Sequence, residues 1–135
     1  PQAAPVHTEL EKNNALIEQI GQEIINSEKL ATLDWKSVSI VFDIGHASIA
    51  NSGFAYLDDK IVPTSVGGPR VSDYVRALRD GMSRLGKGAP VQMLVQISHE
   101  GKFKIDFEYD DPSRWRIGPA NLDQMHEMLR PQFAS

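Results

Sequence analysis

The chain has no cysteine among its 135 residues, and that one absence excludes disulfide staples, thiolate metal ligands and thiol nucleophiles together. Stability must come from packing. Also missing is any run approaching the roughly 18 to 20 consecutive apolar residues that a bilayer-spanning helix requires. No basic segment leads into an apolar stretch at the N-terminus. A soluble, non-exported, cytoplasmic chain with no membrane partner is expected, and whether residues precede Pro1 is left open. Positive charge is not in excess either: 14 Lys and Arg against 18 Asp and Glu give a net charge of -4. Binding to a phosphate backbone depends on clustered Lys and Arg, so direct contact with nucleic acid is not expected, whereas a basic macromolecule matches the charge. Internal repeats and low-complexity segments are absent, which leaves one domain over residues 1–135 with Pro1–His7 as a flexible lead-in.

What is present is a series of amphipathic segments. Thr8 and Glu11 have capping-box spacing, so a helix is expected to start near Thr8. Leu10, Ile17, Ile20 and Ile24 follow at helical spacing, with an end near Ser27 to Leu30. From Trp35 the period becomes two: Val38, Ile40, Phe42 and Ile44 alternate with Ser37, Ser39, Val41 and Asp43, a strand. Ser52 to Leu57, carrying Phe54 and Tyr56, is a second strand, and Asp58-Asp59 turns the chain into a short third at Lys60 to Val62. Pro63 to Pro69 reads as a loop. Ser72 is placed to cap a helix with Val75, Leu78, Met82 and Leu85 on one stripe, stopped by Gly86, Gly88 and Pro90. Met93, Val95 and Ile97 alternate along a further strand, and His99-Glu100-Gly101 turns it into the next.

That last strand is the clearest segment of the chain. In Gly101-Lys-Phe-Lys-Ile-Asp-Phe-Glu-Tyr-Asp-Asp111, Phe103, Ile105, Phe107 and Tyr109 share one face, and Lys102, Lys104, Asp106 and Glu108 share the other. Asp110-Asp111-Pro112 ends it, Trp115 packs back on the core, and Asn121 opens a final short helix through Leu122, Met125 and Leu129. The fold class implied is α+β: a two-layer, mainly antiparallel sheet with helices on one face, in the order α-β-β(-β)-α-β-β-α. The opposite sheet face, bearing Gln92, Gln96, Lys104, Asp106 and Glu108, is expected to stay wet.

Little in the chain carries chemistry by pattern. His7, His46, His99 and His126 have no metal-binding partner at regular spacing. His99 beside Glu100 reads as a solvated turn residue rather than a general base, because no nucleophile or oxyanion site accompanies it. Gly67-Gly68-Pro69-Arg70 lacks the lysine and hydroxyl residue of a P-loop. Trp35 and Trp115 flank strand boundaries, where core packing is the commoner use. Arg70, Arg76, Arg79 and Arg84 are interrupted by Asp73 and Asp80 and read as a solvated helix face. Asp106, Glu108, Asp110 and Asp111 form the densest acidic cluster. They fit a charge ladder with Lys102 and Lys104, a partner-binding surface, or a divalent-metal site.

The wording of Gly101 to Asp111 resembles a segment of the YezG-like family of bacterial immunity proteins. The order of elements agrees, from the N-terminal helix through the strand at Trp35 to Ile44, the Phe54/Tyr56 strand and the helix ending near Leu85 to the final hairpin. The resemblance implies a non-enzymatic antitoxin: an inhibitor that binds and neutralises a cognate secreted toxin, often a nuclease, used between competing bacteria. It further implies no cofactor, no catalytic residue and no metal ligand. The expected partner is a basic toxin domain, met by a monomer through Lys104, Asp106, Glu108, Asp110 and Asp111, because an acidic surface steers encounter with a basic cleft. The alternatives are a small metal-dependent hydrolase using Asp106, Glu108, Asp110 and Asp111, and a non-catalytic module that oligomerises through an open sheet edge.

Overall fold

Strong β-branched alternation in Val38, Ile40 and Val41 makes β1 (Ser37–Asp43) the central strand of the sheet. In the computed structural model, which describes residues 6–45 and 48–133, β1 pairs antiparallel with β2 (Ala50–Tyr56) on one side and β4 (Gln92–Ser98) on the other. β3 (Ile61–Thr64) and β5 (Phe103–Glu108) form the two edges, giving the order β3-β2-β1-β4-β5. Every pairing is antiparallel. The chain is thus α+β, as its element pattern predicts. Gly101, at a φ of 99°, supplies the left-handed turn residue that closes the β4–β5 hairpin.

One sheet face is covered by α1 (Val6–Ile25) and α3 (Pro69–Met82). Val38, Ile40 and Phe42 of β1 and Met93, Val95 and Ile97 of β4 meet Ile20 and Ile24 of α1 and Val75 and Leu78 of α3 in the main core. A one-turn helix, α2 (Glu28–Ala31), drops Leu30 into the same cluster. At the crossing of α1 and α3 the helices come close, because Gly81 has no side chain: a Cβ there would lie 2.1 Å from Asn13 Oδ1.

Several local expectations are corrected. α1 starts at Val6, so Thr8 lies inside the helix instead of capping it; residues 1–5 of the expected lead-in lie outside the described residues. Leu10 is 47% exposed, while Glu9 and Asn13 are buried: the first half of α1 turns polar groups inward, Asn13 against Gly81 of α3 and Glu9 against Arg84, just past the end of that helix. Arg84 is therefore not simply solvated, and Arg79 donates to the Ile44 carbonyl at 3.0 Å. α3 opens at Pro69 behind Gly68, not at Ser72, because proline's fixed φ suits the first helical position and its missing N–H would be unpaired there. β3 runs through Pro63, which a sheet edge tolerates.

The largest correction concerns the second sheet face. Gln92 and Gln96 are 0% and 5% exposed, so its centre is not wet. The chain from Trp115 through α4 (Leu122–Met128) folds across it, and Trp115, Met125 and Leu129 pack on Val41, Phe54, Tyr56 and Leu94. The cause is visible in hindsight: those four sheet residues give this face an apolar middle that needs cover. Trp115 packs as expected.

Candidate partner-binding surface

The covering segment is fixed by hydrogen bonds from sheet side chains. A seven-residue helix leaves its last carbonyls without helical partners, and the sheet supplies them. Tyr56 Oη donates to the His126 carbonyl at 2.7 Å, and Ser39 Oγ and Gln96 Nε2 donate to the Leu129 carbonyl at 2.5 and 3.1 Å. Gln92 bridges two elements: its Nε2 donates to Asp43 Oδ1 at 2.8 Å and its Oε1 accepts the Trp115 N–H at 2.9 Å. Burial holds the Tyr56 hydroxyl well above the ordinary phenol range, with Arg130 nearby opposing. It therefore stays protonated, as its donor role requires.

The turn that carries the chain from β5 to this segment is built by two of the candidate carboxylates. Glu108 Oε2 accepts the N–H groups of Asp110 and Asp111 at 3.0 and 3.1 Å, and Oε1 accepts Arg114 Nη1 at 2.8 Å. Those backbone donors and the guanidinium pull the Glu108 carboxyl down to about 2. Asp111 Oδ1 accepts both the hydroxyl and the N–H of Ser113, at 2.7 and 2.9 Å, which lowers its pKa. The Arg114 guanidinium lies 4.7 Å from the Trp115 ring centroid, fastening turn to core.

The five residues expected to contact a partner therefore divide. Glu108 and Asp111 spend their oxygens inside the turn and shape it. Asp110 is exposed at its tip. Lys104 and Asp106 stand on the outer face of β5 with their charges 3.9 Å apart and side chains 51% and 45% exposed. They rim a depression of about 310 Å³ whose other walls include Arg114, Met128, Arg130 and Gln132. Met128, at 61% the most exposed of the large apolar residues, escaped the sequence reading. Its signal was available: it falls off the Leu122–Met125–Leu129 stripe. The surface is mixed in charge rather than uniformly acidic, with an apolar side chain standing among ions, a composition suited to protein contact.

The same geometry bears on metal chemistry. Glu108 and Asp111 face inward to donors, Asp106 faces Lys104, and among the described residues no group of three or more His, Asp or Glu is placed to hold a metal ion. His99 is exposed at the hairpin and stacks edge-on against Trp35 at 5.0 Å. His126 packs edge-on against Phe54 at 6.1 Å, beside a mixed-charge depression of about 570 Å³ between the β2–β3 hairpin and α4. His46 lies outside the described residues. No helix among the described residues is long and apolar enough to cross a membrane.

No family model matches the chain, and no curated protein matches it.

Proposed function

We propose that the chain is an immunity protein: a non-catalytic inhibitor that binds a cognate secreted bacterial toxin, a nuclease in the first instance, and neutralises it in the cytoplasm. The observation that carries the reading is the segment Gly101 to Asp111. It resembles the corresponding segment of YezG-like immunity proteins, and its polar alternates Lys104 and Asp106, with Asp110 after them, are displayed at the surface on a strand and a braced turn. Rigid display lowers the ordering cost of binding. On this reading Asp110 and the solvent-facing sides of Lys104 and Asp106 would meet the toxin and Met128 would supply an apolar anchor, while Glu108 and Asp111 hold the turn in shape. An inhibitor with this arrangement needs no cofactor.

The test is titration calorimetry against the toxin domain encoded beside this gene, paired with an assay of that toxin's activity. Stoichiometric inhibition is the expected result. Asp110→Lys and Met128→Ala should each weaken binding by about tenfold, with the fold intact by circular dichroism. A toxin that neither binds the wild-type chain nor loses activity in its presence defeats the immunity reading for that pair. Binding that survives both substitutions unchanged moves the contact surface elsewhere.

A further inference from the structure

The two edges of the sheet are not alike. In β3, the Leu57 N–H donates to the Lys60 carbonyl at 2.9 Å, and the antiparallel alternation from that pair turns the backbone groups of Pro63 outward. Ile61 keeps its outward N–H, but the proline removes the next donor and the strand is only four residues long, so this edge offers little to a further strand. β5 has no such protection. The carbonyls of Lys102 and Glu108 accept from Ser98 and Val91 at 2.8 and 2.7 Å. The even-numbered residues thus face β4, and Phe103, Ile105 and Phe107 point their N–H and C=O groups away from the sheet. Among the described residues no strand pairs with that side.

We propose that this edge is a homodimerisation surface: β5 pairs antiparallel with β5 of a second copy about a two-fold axis at Ile105, joining two five-stranded sheets into one. The strand is complementary to itself in that register. Centred on Ile105, Lys104 stands opposite Asp106 and Lys102 opposite Glu108, each pair occurring twice, while Phe103 stands opposite Phe107. A shift to Lys104 opposes lysine to lysine, and a shift to Asp106 opposes aspartate to aspartate. Centres lying between residues pair outward-facing groups with inward-facing ones and forfeit the ladder. Only the Ile105 register satisfies charge and hydrogen bonding together.

Both sides of the edge contribute. Lys104 and Asp106 meet as a non-hydrogen-bonded pair, where opposed Cα atoms are closest at about 4.5 Å, and both side chains are about half exposed in the single chain. On the helix side, Phe103 is 40% exposed at the rim of an apolar groove of about 610 Å³ lined by Ile17, Gly21 and Ile25. The Phe103–Phe107 contact covers it. An unrelated strand would have to reproduce this alternating charge pattern, whereas a second copy carries it by identity. This proposal sets a dimer against the expectation of a monomer.

Size-exclusion chromatography with light scattering tests this, and the expected mass is twice 15.0 kDa. Asp106→Lys sets lysine opposite lysine at two places and should weaken the dimer about tenfold or more. The double variant Lys104→Asp/Asp106→Lys restores opposite charges and should restore the dimer. A wild-type mass of one chain up to about 1 mM, or a double variant no more dimeric than the single, overturns the proposal. Because the chain has no cysteine, a second arm reads the register even if Asp106→Lys unfolds. Lys104→Cys and Asp106→Cys proteins, mixed in equal amounts and oxidised, should give the 104–106 heterodisulfide well beyond the twofold excess over each homodisulfide that random pairing produces, and yields at that 1:2:1 ratio overturn the register. No toxin enters these measurements, so their outcome and that of the toxin titration are separable.

Discussion

The face of the sheet under α1 and α3 and the face under the C-terminal segment are closed by different chemistry. The first is almost wholly hydrocarbon: Phe42, Ile40 and Val95 against Ile20, Ile24 and Leu78, each at most 1% exposed. Its binding force is non-directional and scales with area. The second has a smaller apolar cluster interleaved with Ser39, Tyr56, Gln92 and Gln96, whose polar atoms meet named backbone groups. The difference follows from what covers each face. Two long helices satisfy their own backbones and need only an apolar stripe to dock, whereas a seven-residue helix is marginal alone and brings unpaired carbonyls that must be met.

The contrast can be broken from either side. Phe42→Ala removes a fully buried ring from the helix face and should cost about 3 to 5 kcal/mol, read as a lower urea midpoint with loss of the whole cooperative transition's stability. Tyr56→Phe deletes only the hydroxyl that meets the His126 carbonyl. A buried, unsatisfied carbonyl costs about 1 to 3 kcal/mol, and hydrogen exchange should accelerate in α4 before it does in α1 or α3. Equal acceleration in all three helices would show that the two faces do not act separately.

Two smaller effects depend on pH. The Tyr56 phenol is raised above its ordinary value near 10, so the folded state holds the proton more tightly than the unfolded state. Its contribution is complete below pH 10 and is lost as pH climbs beyond it; Tyr56→Phe should flatten that alkaline limb of the melting temperature. The sign is opposite for Glu108. Its carboxyl falls from 4.5 to about 2 on folding, so its contribution is present above pH 4.5 and disappears between there and pH 2. Glu108→Gln should reduce the acid sensitivity in that window and loosen the turn ahead of Trp115. A melting curve for the variant that keeps the full acid limb would remove Glu108 from that role.

The strands were legible because alternation survives in the letters themselves: Val38, Ile40 and Phe42, or Phe103, Ile105 and Phe107, put apolar groups on one face whatever surrounds them. Helix starts were less so. Ser72 has a good cap chemistry, yet Gly68-Pro69 opens α3, because a proline already set for the helix three residues earlier preempts it. The candidate surface was half legible. Asp106 and Glu108 share a strand face by parity, but only the fold turns Glu108 to the Asp110 and Asp111 amides and leaves Asp106 outside.

By itself, then, the sequence determined the α+β class, the antiparallel hairpins, the side of each strand that enters the main core, and the self-complementary charge order of β5, since these rest on local periodicity and turn chemistry. The tertiary structure alone decided that Gln92 and Gln96 are buried, that Glu108 and Asp111 build a turn, and that β3, with Pro63 in it, and β5 are the two sheet edges. Those outcomes depend on pairings between residues far apart in the chain, such as Gln96 with Leu129, and a local pattern holds no record of which distant carbonyl a side chain will meet.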